Sequence, residues 1–78
     1  MLSVPGRIVE IVDERHRLAS VEVDGKIQQV HYGPVEHVSP GEWVLVYLGL
    51  AVGKLEEHEA LETLQFIRDL ARASEEGR

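Results

Sequence analysis

Residues 17–32, RLASVEVDGKIQQVHY, are the stretch that decides the fold class, because they have the pattern of a β-hairpin. In the first half, apolar and polar residues alternate with the period of a half-buried strand. Asp24-Gly25 then follows, and a type I′ turn requires the positive φ angles that these residue types tolerate. The pattern predicts antiparallel strands at 17–23 and 26–32, with Gly33-Pro34 ending the second.

Two further strand signals lie on either side of this hairpin. Residues 7–12, RIVEIV, are rich in β-branched residues and are bounded by Gly6 and Asp13-Glu14. Residues 42–50, EWVLVYLGL, form a nearly continuous apolar run that is typical of a strand buried on both faces. Residues 35–39, VEHVS, fit either a loop or one helical turn. Short strands separated by turn signals predict a small β-barrel over about residues 5–52.

The period changes from strand-like to helical at Leu55. A helix over about residues 55–73 would gather its small and aliphatic residues on one face: Ala60, Leu61, Leu64, Ile67 and Ala71. It would place His58, Glu62, Gln65 and Asp69 on the opposite face. Residues 74–78 are polar and are predicted to be a frayed tail. The fold class predicted from these patterns is mainly β, a small barrel followed by one C-terminal amphipathic α-helix.

Length and composition exclude several classes of protein. The chain has 78 residues, room for a single domain over 1–78, and it contains no cysteine. Disulfides, cysteine-ligated zinc, iron–sulfur clusters and a thiol nucleophile are therefore excluded. The net charge of −6 opposes binding to nucleic acid. With no apolar run of transmembrane length and no signal peptide in the sequence, we expect a cytoplasmic protein without a membrane partner.

The residues that could carry chemistry do not form a catalytic pattern. No two of the histidines, His16, His31, His37 and His58, are separated by the four positions that place two metal ligands on one helix face. The acidic cluster at Glu56, Glu57, Glu59 and Glu62 is typical of a solvated helix start favoured by the helix dipole. We therefore expect no catalytic residues and no metal site, and the sequence favours a binding or adaptor role over an enzyme.

Three segments carry a resemblance to a known family. LSVPGRIVEI (residues 2–11) resembles the start of the HypC/HupF family of hydrogenase assembly chaperones, whose members typically begin Met-Cys-aliphatic-small-aliphatic-Pro-Gly. The hairpin VEVDGKIQQV (21–30) and the segment PGEWVLVYLGLAVGKLEEHEALETL (40–64) are similar to the family's middle and later parts. The resemblance covers most of the chain, from residue 2 to about residue 70.

The resemblance implies a fold and a function. Its fold would be an OB-like barrel with a C-terminal helix, and its function that of a maturation chaperone. Its partners would be a HypD-like iron–sulfur protein, on which an iron with cyanide and carbon monoxide ligands is assembled, and the precursor of the [NiFe]-hydrogenase large subunit, which receives that Fe(CN)2CO group. The alternative is an OB-type binding module with an unrelated ligand.

The sequence departs from the family at the two residues that the resemblance associates with iron. Aligned on Pro5-Gly6, the family cysteine falls on Met1 or between Met1 and Leu2; aligned on WVLV, the family histidine falls on Tyr47. A thiolate suits a soft, low-valent iron, whereas a thioether is neutral and weaker. We therefore expect no stably bound cofactor, and only transient contact with Fe(CN)2CO.

The leader, residues 1–4, is apolar although it precedes the first predicted strand. Pro5 biases Val4 to an extended conformation, so the leader is expected to project as a short arm that docks against a partner or against its own barrel. The predicted partner-binding residues are Met1, Leu2, Ser3, Val4, Pro5, Gly6, Tyr47 and Phe66.

Three aromatic residues, like the leader, fit either a structural role in this protein or a contact with another protein. Trp43 and Tyr47 share one strand face and fit either the core or wall of the barrel or a contact surface. Phe66 lies about 160° from the centre of the helix's apolar face at 100° per residue. It would either cover a crevice of the barrel or remain exposed as a contact for another protein.

Overall fold

A closed five-stranded barrel followed by one helix accounts for the part of the chain that is described. The computed structural model describes residues 3–76. The strands are β1 (Val4–Asp13), β2 (Leu18–Val23), β3 (Lys26–His31), β4 (Trp43–Tyr47) and β5 (Leu50–Leu55), and the helix is α1 (Glu57–Glu76). The barrel order is β1-β2-β3-β5-β4. The predicted mainly β, OB-like barrel with a C-terminal helix is confirmed.

The predicted hairpin forms as its turn residues indicate. β2 pairs antiparallel with β3, from Leu18 opposite His31 to Val23 opposite Lys26. Asp24 and Gly25 have φ angles of 50° and 82°, the positive values that a type I′ turn requires.

The prediction of one strand over 42–50 is wrong, because the chain reverses direction inside it. Leu48 and Gly49 have φ angles of 50° and 79°, and the segment divides into antiparallel strands β4 and β5 around them. Leu48 has a left-handed backbone conformation, which is uncommon for a residue other than glycine. The apolar residues around it in the sequence give no sign of a turn. Residues 35–39 form a loop and not a helical turn.

The first strand begins earlier than predicted. β1 includes Val4, Pro5 and Gly6, which pair antiparallel with Val46, Leu45 and Val44 of β4. The pairing continues beyond the ladder, since the Ile8 amide donates to the Glu42 carbonyl at 2.8 Å and the Gly41 amide donates to the Ile8 carbonyl at 2.8 Å.

Small aliphatic side chains fill the barrel. The buried core consists of Ile8, Ala19, Val21, Val30, Tyr32, Val35, Val38, Val44, Val46 and Ala51. The strands alternate inward and outward, so Val44 and Val46 are buried while Trp43, Leu45 and Tyr47 lie half-buried on the outer surface.

Two further contacts complete the barrel beside strand β3. β3 and β5 pair in parallel at His31 and Leu50, where the His31 amide donates to the Gly49 carbonyl at 3.0 Å. The Arg17 guanidinium, from the β1–β2 connection, lies 5.0 Å from the Tyr32 ring centroid and donates to the Val35 carbonyl at 2.6 Å, both in the β3–β4 connection. This cation–π contact and hydrogen bond hold the connection against the barrel.

The helix begins two residues later than predicted and extends further. Leu55 belongs to β5, and the Glu56 amide donates to Glu59 Oε1 at 3.1 Å, one half of a capping box. The backbone is helical through Glu76, so most of the predicted frayed tail is helical, and residues 77–78 lie outside the described residues. Among the residues that the structure describes, no helix is both long and apolar enough to cross a membrane.

The barrel interior leaves no room for a side chain at Gly6. A Cβ there would lie 3.0 Å from Val23 Cγ2 and 3.2 Å from Val46 Cγ2. We predict that Gly6→Ala lowers the free energy of unfolding by about 1–3 kcal/mol, the usual cost of overpacking a core. Gly53→Ala in β5 is the matched control, since a Cβ there meets nothing within 4 Å. Urea unfolding of both variants checks this, and equal losses would contradict it.

Candidate partner-binding surface

The register between β1 and β4 brings the described end of the leader, Ser3 and Val4, close to Tyr47. Tyr47 is the position at which the family resemblance places a histidine. Val4 lies opposite Val46, and the same register continued by one residue places Ser3 opposite Tyr47. Ser3, Val4 and Tyr47 are all half-buried. Met1 and Leu2 lie outside the described residues, so their predicted contact with a partner stays a prediction.

Val4, the last residue of the leader, docks against the protein's own barrel, which is one of the two predicted alternatives. Val4 packs against the core cluster. Gly6 faces the interior, and Pro5 faces the opposite side, where it is buried near the helix. The expectation of a projecting arm over residues 1–4 is therefore wrong for Val4, which belongs to strand β1. A partner that docks here would meet neighbouring residues more readily than the buried side chain of Pro5, and direct contact with Pro5 and Gly6 stays a prediction.

A groove separates helix α1 from the barrel. Its first part, a cavity of about 250 Å³, lies between Pro5 and Trp43 of the barrel and Leu61 and Leu64 of the helix. Its second part, about 320 Å³, is more apolar and lies between Val4 on the barrel side and Ile67 on the helix. Asp24 and Arg68 line both parts, together with Leu64.

Trp43 belongs to the barrel wall and not to its core, which agrees with the first alternative, the core or wall of the barrel. Its side chain lines the groove, and within residues 3–76 the buried Nε1 atom has no hydrogen-bond partner. A buried donor without an acceptor is costly, because its hydrogen bond to water is lost on folding. Trp43 therefore faces the groove between the barrel and helix α1.

Phe66 is exposed, which excludes the alternative that it covers a crevice of the barrel. Its side chain is 64% exposed, and Leu70, one turn further along the helix, is 51% exposed. Residues four apart lie on the same helix face, so the two side chains form one apolar patch. The sequence reasoning identified Phe66 but missed Leu70, although the four-residue spacing was available as a signal.

The histidines do not converge on a metal site. Among residues 3–76, no group of three or more histidine and acidic side chains could hold a metal ion. His16 instead contacts Asp13 in the β1–β2 turn, with 2.8 Å between Nδ1 and Oδ2. This side-chain hydrogen bond, with the backbone amides of His16 and Arg15, lowers the pKa of the Asp13 carboxyl. His58 lies beside Glu56 at the start of the helix.

Comparison with known proteins identifies the family. The model of the HupF/HypC family matches residues 2–67, most of the chain. The chain belongs to the HupF/HypC family.

Three of the similar proteins carry names that refer to hydrogenase maturation. Hydrogenase maturation factor HypC of Rhodobacter capsulatus is 37% identical over 79 residues, covering 95% of this chain and 81% of the relative. Hydrogenase maturation factor HybG of Escherichia coli K12 is 34% identical over 73 residues, covering 88% and 89%. Hydrogenase maturation factor HypC of Azotobacter chroococcum is 30% identical over 74 residues, covering 95% and 86%.

Two leucines about 120° apart around helix α1, at 100° per residue, allow a matched test of which face stabilises the fold. Leu64 is half-buried and lines both parts of the groove, whereas Leu70 is mostly exposed. We predict that Leu64→Ala lowers the free energy of unfolding by about 1–3 kcal/mol, below the usual cost at a fully buried leucine. Leu70→Ala is expected to change it by less than about 0.5 kcal/mol. Both variants make the same change in helix propensity, so similar losses in urea unfolding would contradict this assignment.

Proposed function

We propose that this chain acts in maturation of [NiFe]-hydrogenase by protein–protein contact and not by catalysis. In this proposal it binds a HypD-like maturation protein and the precursor of the hydrogenase large subunit, and it takes part in assembly or delivery of the Fe(CN)2CO group. Membership of the HupF/HypC family and the names of the relatives support this role. We place the role in the cytoplasm, where a chain without cysteine needs no oxidising environment.

The observation that carries the proposal is the register of β1 on β4. It pairs Val4 with Val46 and, continued by one residue, places Ser3 next to Tyr47, the position to which the family resemblance assigns a histidine. The position that the resemblance assigns to the cysteine, at Met1 or between Met1 and Leu2, precedes Ser3 closely in the sequence. We propose that Met1, Leu2, Ser3, Val4 and Tyr47 contact the partner in this region, and that Phe66 on the helix makes a further contact.

The iron group is cargo in this proposal, and the residues of this chain are poorly suited to hold it alone. The sequence contains no thiolate. Tyr47 offers a phenol oxygen where the family resemblance assigns an imidazole nitrogen. Soft, strong-field iron favours sulfur and nitrogen ligands over neutral oxygen. We therefore propose that the chain contributes docking and positioning, and that the partner supplies most of the iron ligands.

Anaerobic co-expression of the tagged chain with the other maturation proteins tests this function. We predict that the HypD-like protein or the large-subunit precursor co-purifies with the chain, while infrared spectra show no cyanide or carbonyl bands that remain with the chain alone. Recovery of an oligonucleotide in place of either protein would instead favour a binding module with an unrelated ligand. Strong bands on the isolated chain would contradict the assignment of the iron ligands to the partner.

Restoring the two family residues provides the matched comparison for the iron ligands. Insertion of a cysteine between Met1 and Leu2, combined with Tyr47→His, is expected to increase the iron retained by the chain. Tyr47 is half-buried on the outside of the barrel, so the substitution leaves the core unchanged. If the double variant retains no more iron than the parent, the site has diverged beyond these two positions and the chain is a docking paralogue.

A further inference from the structure

One face of helix α1 takes no part in the packing against the barrel. We call it the outer face and define it by Glu59, Glu62, Phe66, Asp69 and Leu70, all of which are exposed. The centre of this face lies about 160° from Leu64, the residue that faces the groove, at 100° per residue. Its apolar pair, Phe66 and Leu70, is 64% and 51% exposed and is not part of the core of the fold.

The charged residues of the outer face are all acidic, and the neutral Gln65 at its margin donates to Asp69 Oδ1 at 3.0 Å. Glu59, Glu62 and Asp69 surround the apolar pair, and between Glu59 and Leu70 the only basic residue is Arg68. Arg68 lies about 160° from Phe66 around the helix and lines the groove. The outer face is therefore an apolar patch with an acidic border.

Because these charges are all negative, they restrict which kind of protein can bind the outer face. Two copies packed through it would bring carboxylates against carboxylates, because the face has no basic side chain to pair with them. Like charges placed opposite one another across an interface are unfavourable, whereas complementary potentials guide association. The occupant that fits is a different protein, with an apolar cleft bordered by lysine or arginine.

We propose that the outer face docks into such a cleft on the HypD-like maturation protein, an inference that rests on the proposed function. Phe66 enters the cleft and provides most of the binding energy, as buried aromatic residues do at protein interfaces. The acidic border pairs with the basic border of the cleft and accelerates association, in keeping with the net charge of −6. Binding through this face is consequently sensitive to salt.

The test is the affinity of the full chain for the purified HypD-like protein at several NaCl concentrations. Phe66→Ser is expected to weaken binding by about 30-fold, the loss typical of an interface hot spot. Its control is Ile27→Ser, which removes a 58% exposed apolar side chain from strand β3. Glu62→Lys is expected to slow association and reduce the salt dependence. Its control is Glu14→Lys, the same charge change in the exposed β1–β2 turn.

The outcomes separate this inference from the function on which it rests. If the unaltered chain binds neither the HypD-like protein nor the large-subunit precursor, the proposed function is wrong and the inference is overturned with it. If the unaltered chain binds and the Phe66 and Glu62 variants bind equally well, only the inference is overturned. A dimer of the unaltered chain that Phe66→Ser dissociates would assign the face to a second copy and would also overturn it. Circular dichroism and thermal melts establish that each variant is folded.

Discussion

The antiparallel pairing of β1 with β4 is the constraint on which the rest of the structure depends. At its centre Gly6 lies opposite Val44, where a Cβ would press against Val23 Cγ2 at 3.0 Å and Val46 Cγ2 at 3.2 Å. The pairing aligns the leader with the end of β4 and places Pro5 next to the helix. A Pro-Gly pair suits both requirements, since proline supplies an extended backbone with an apolar ring and glycine permits close approach.

Only a small part of the surface of helix α1 packs against the barrel. A small core of valines, alanines, Ile8 and Tyr32 fills the barrel, and the helix adds only the stripe that contains Ala60, Leu64 and Ile67. A helix of 20 residues is about 30 Å long, and the molecule is 48 Å along its longest axis against 21 Å and 19 Å across. Much of the helix surface is therefore free for contacts that stability does not need. An exposed phenylalanine there is more readily explained by binding than by folding.

Local sequence patterns predicted most of the strands and the helix. The features that they did not predict depend on pairing between strands that are distant in the sequence. The β2–β3 hairpin and helix α1 could be predicted because turn residues and periodicity act over a few positions. The reversal at Leu48-Gly49 was missed, since a continuous apolar run conceals a turn whose first residue is a leucine. The start of β1 at Val4 and the alignment of Ser3 with Tyr47 depend on a strand some forty residues away. Tyr47 and Phe66 could be predicted as candidate contact residues. The position of Tyr47 beside Ser3, and the acidic residues around Phe66, could not be predicted.

The central claim is that the β1–β4 register creates a partner-binding surface where the leader meets Tyr47. Photo-cross-linking tests it most directly, with a benzophenone-bearing phenylalanine placed at Tyr47 in one chain and at Ile27 in another. After irradiation with the HypD-like protein and the large-subunit precursor, we predict that the residue at Tyr47 cross-links to one of these partners and that the residue at Ile27 does not. Cross-linking from Ile27 without any from Tyr47 would contradict the claim, because it would place the partner on β3, away from the strands that carry the leader and Tyr47.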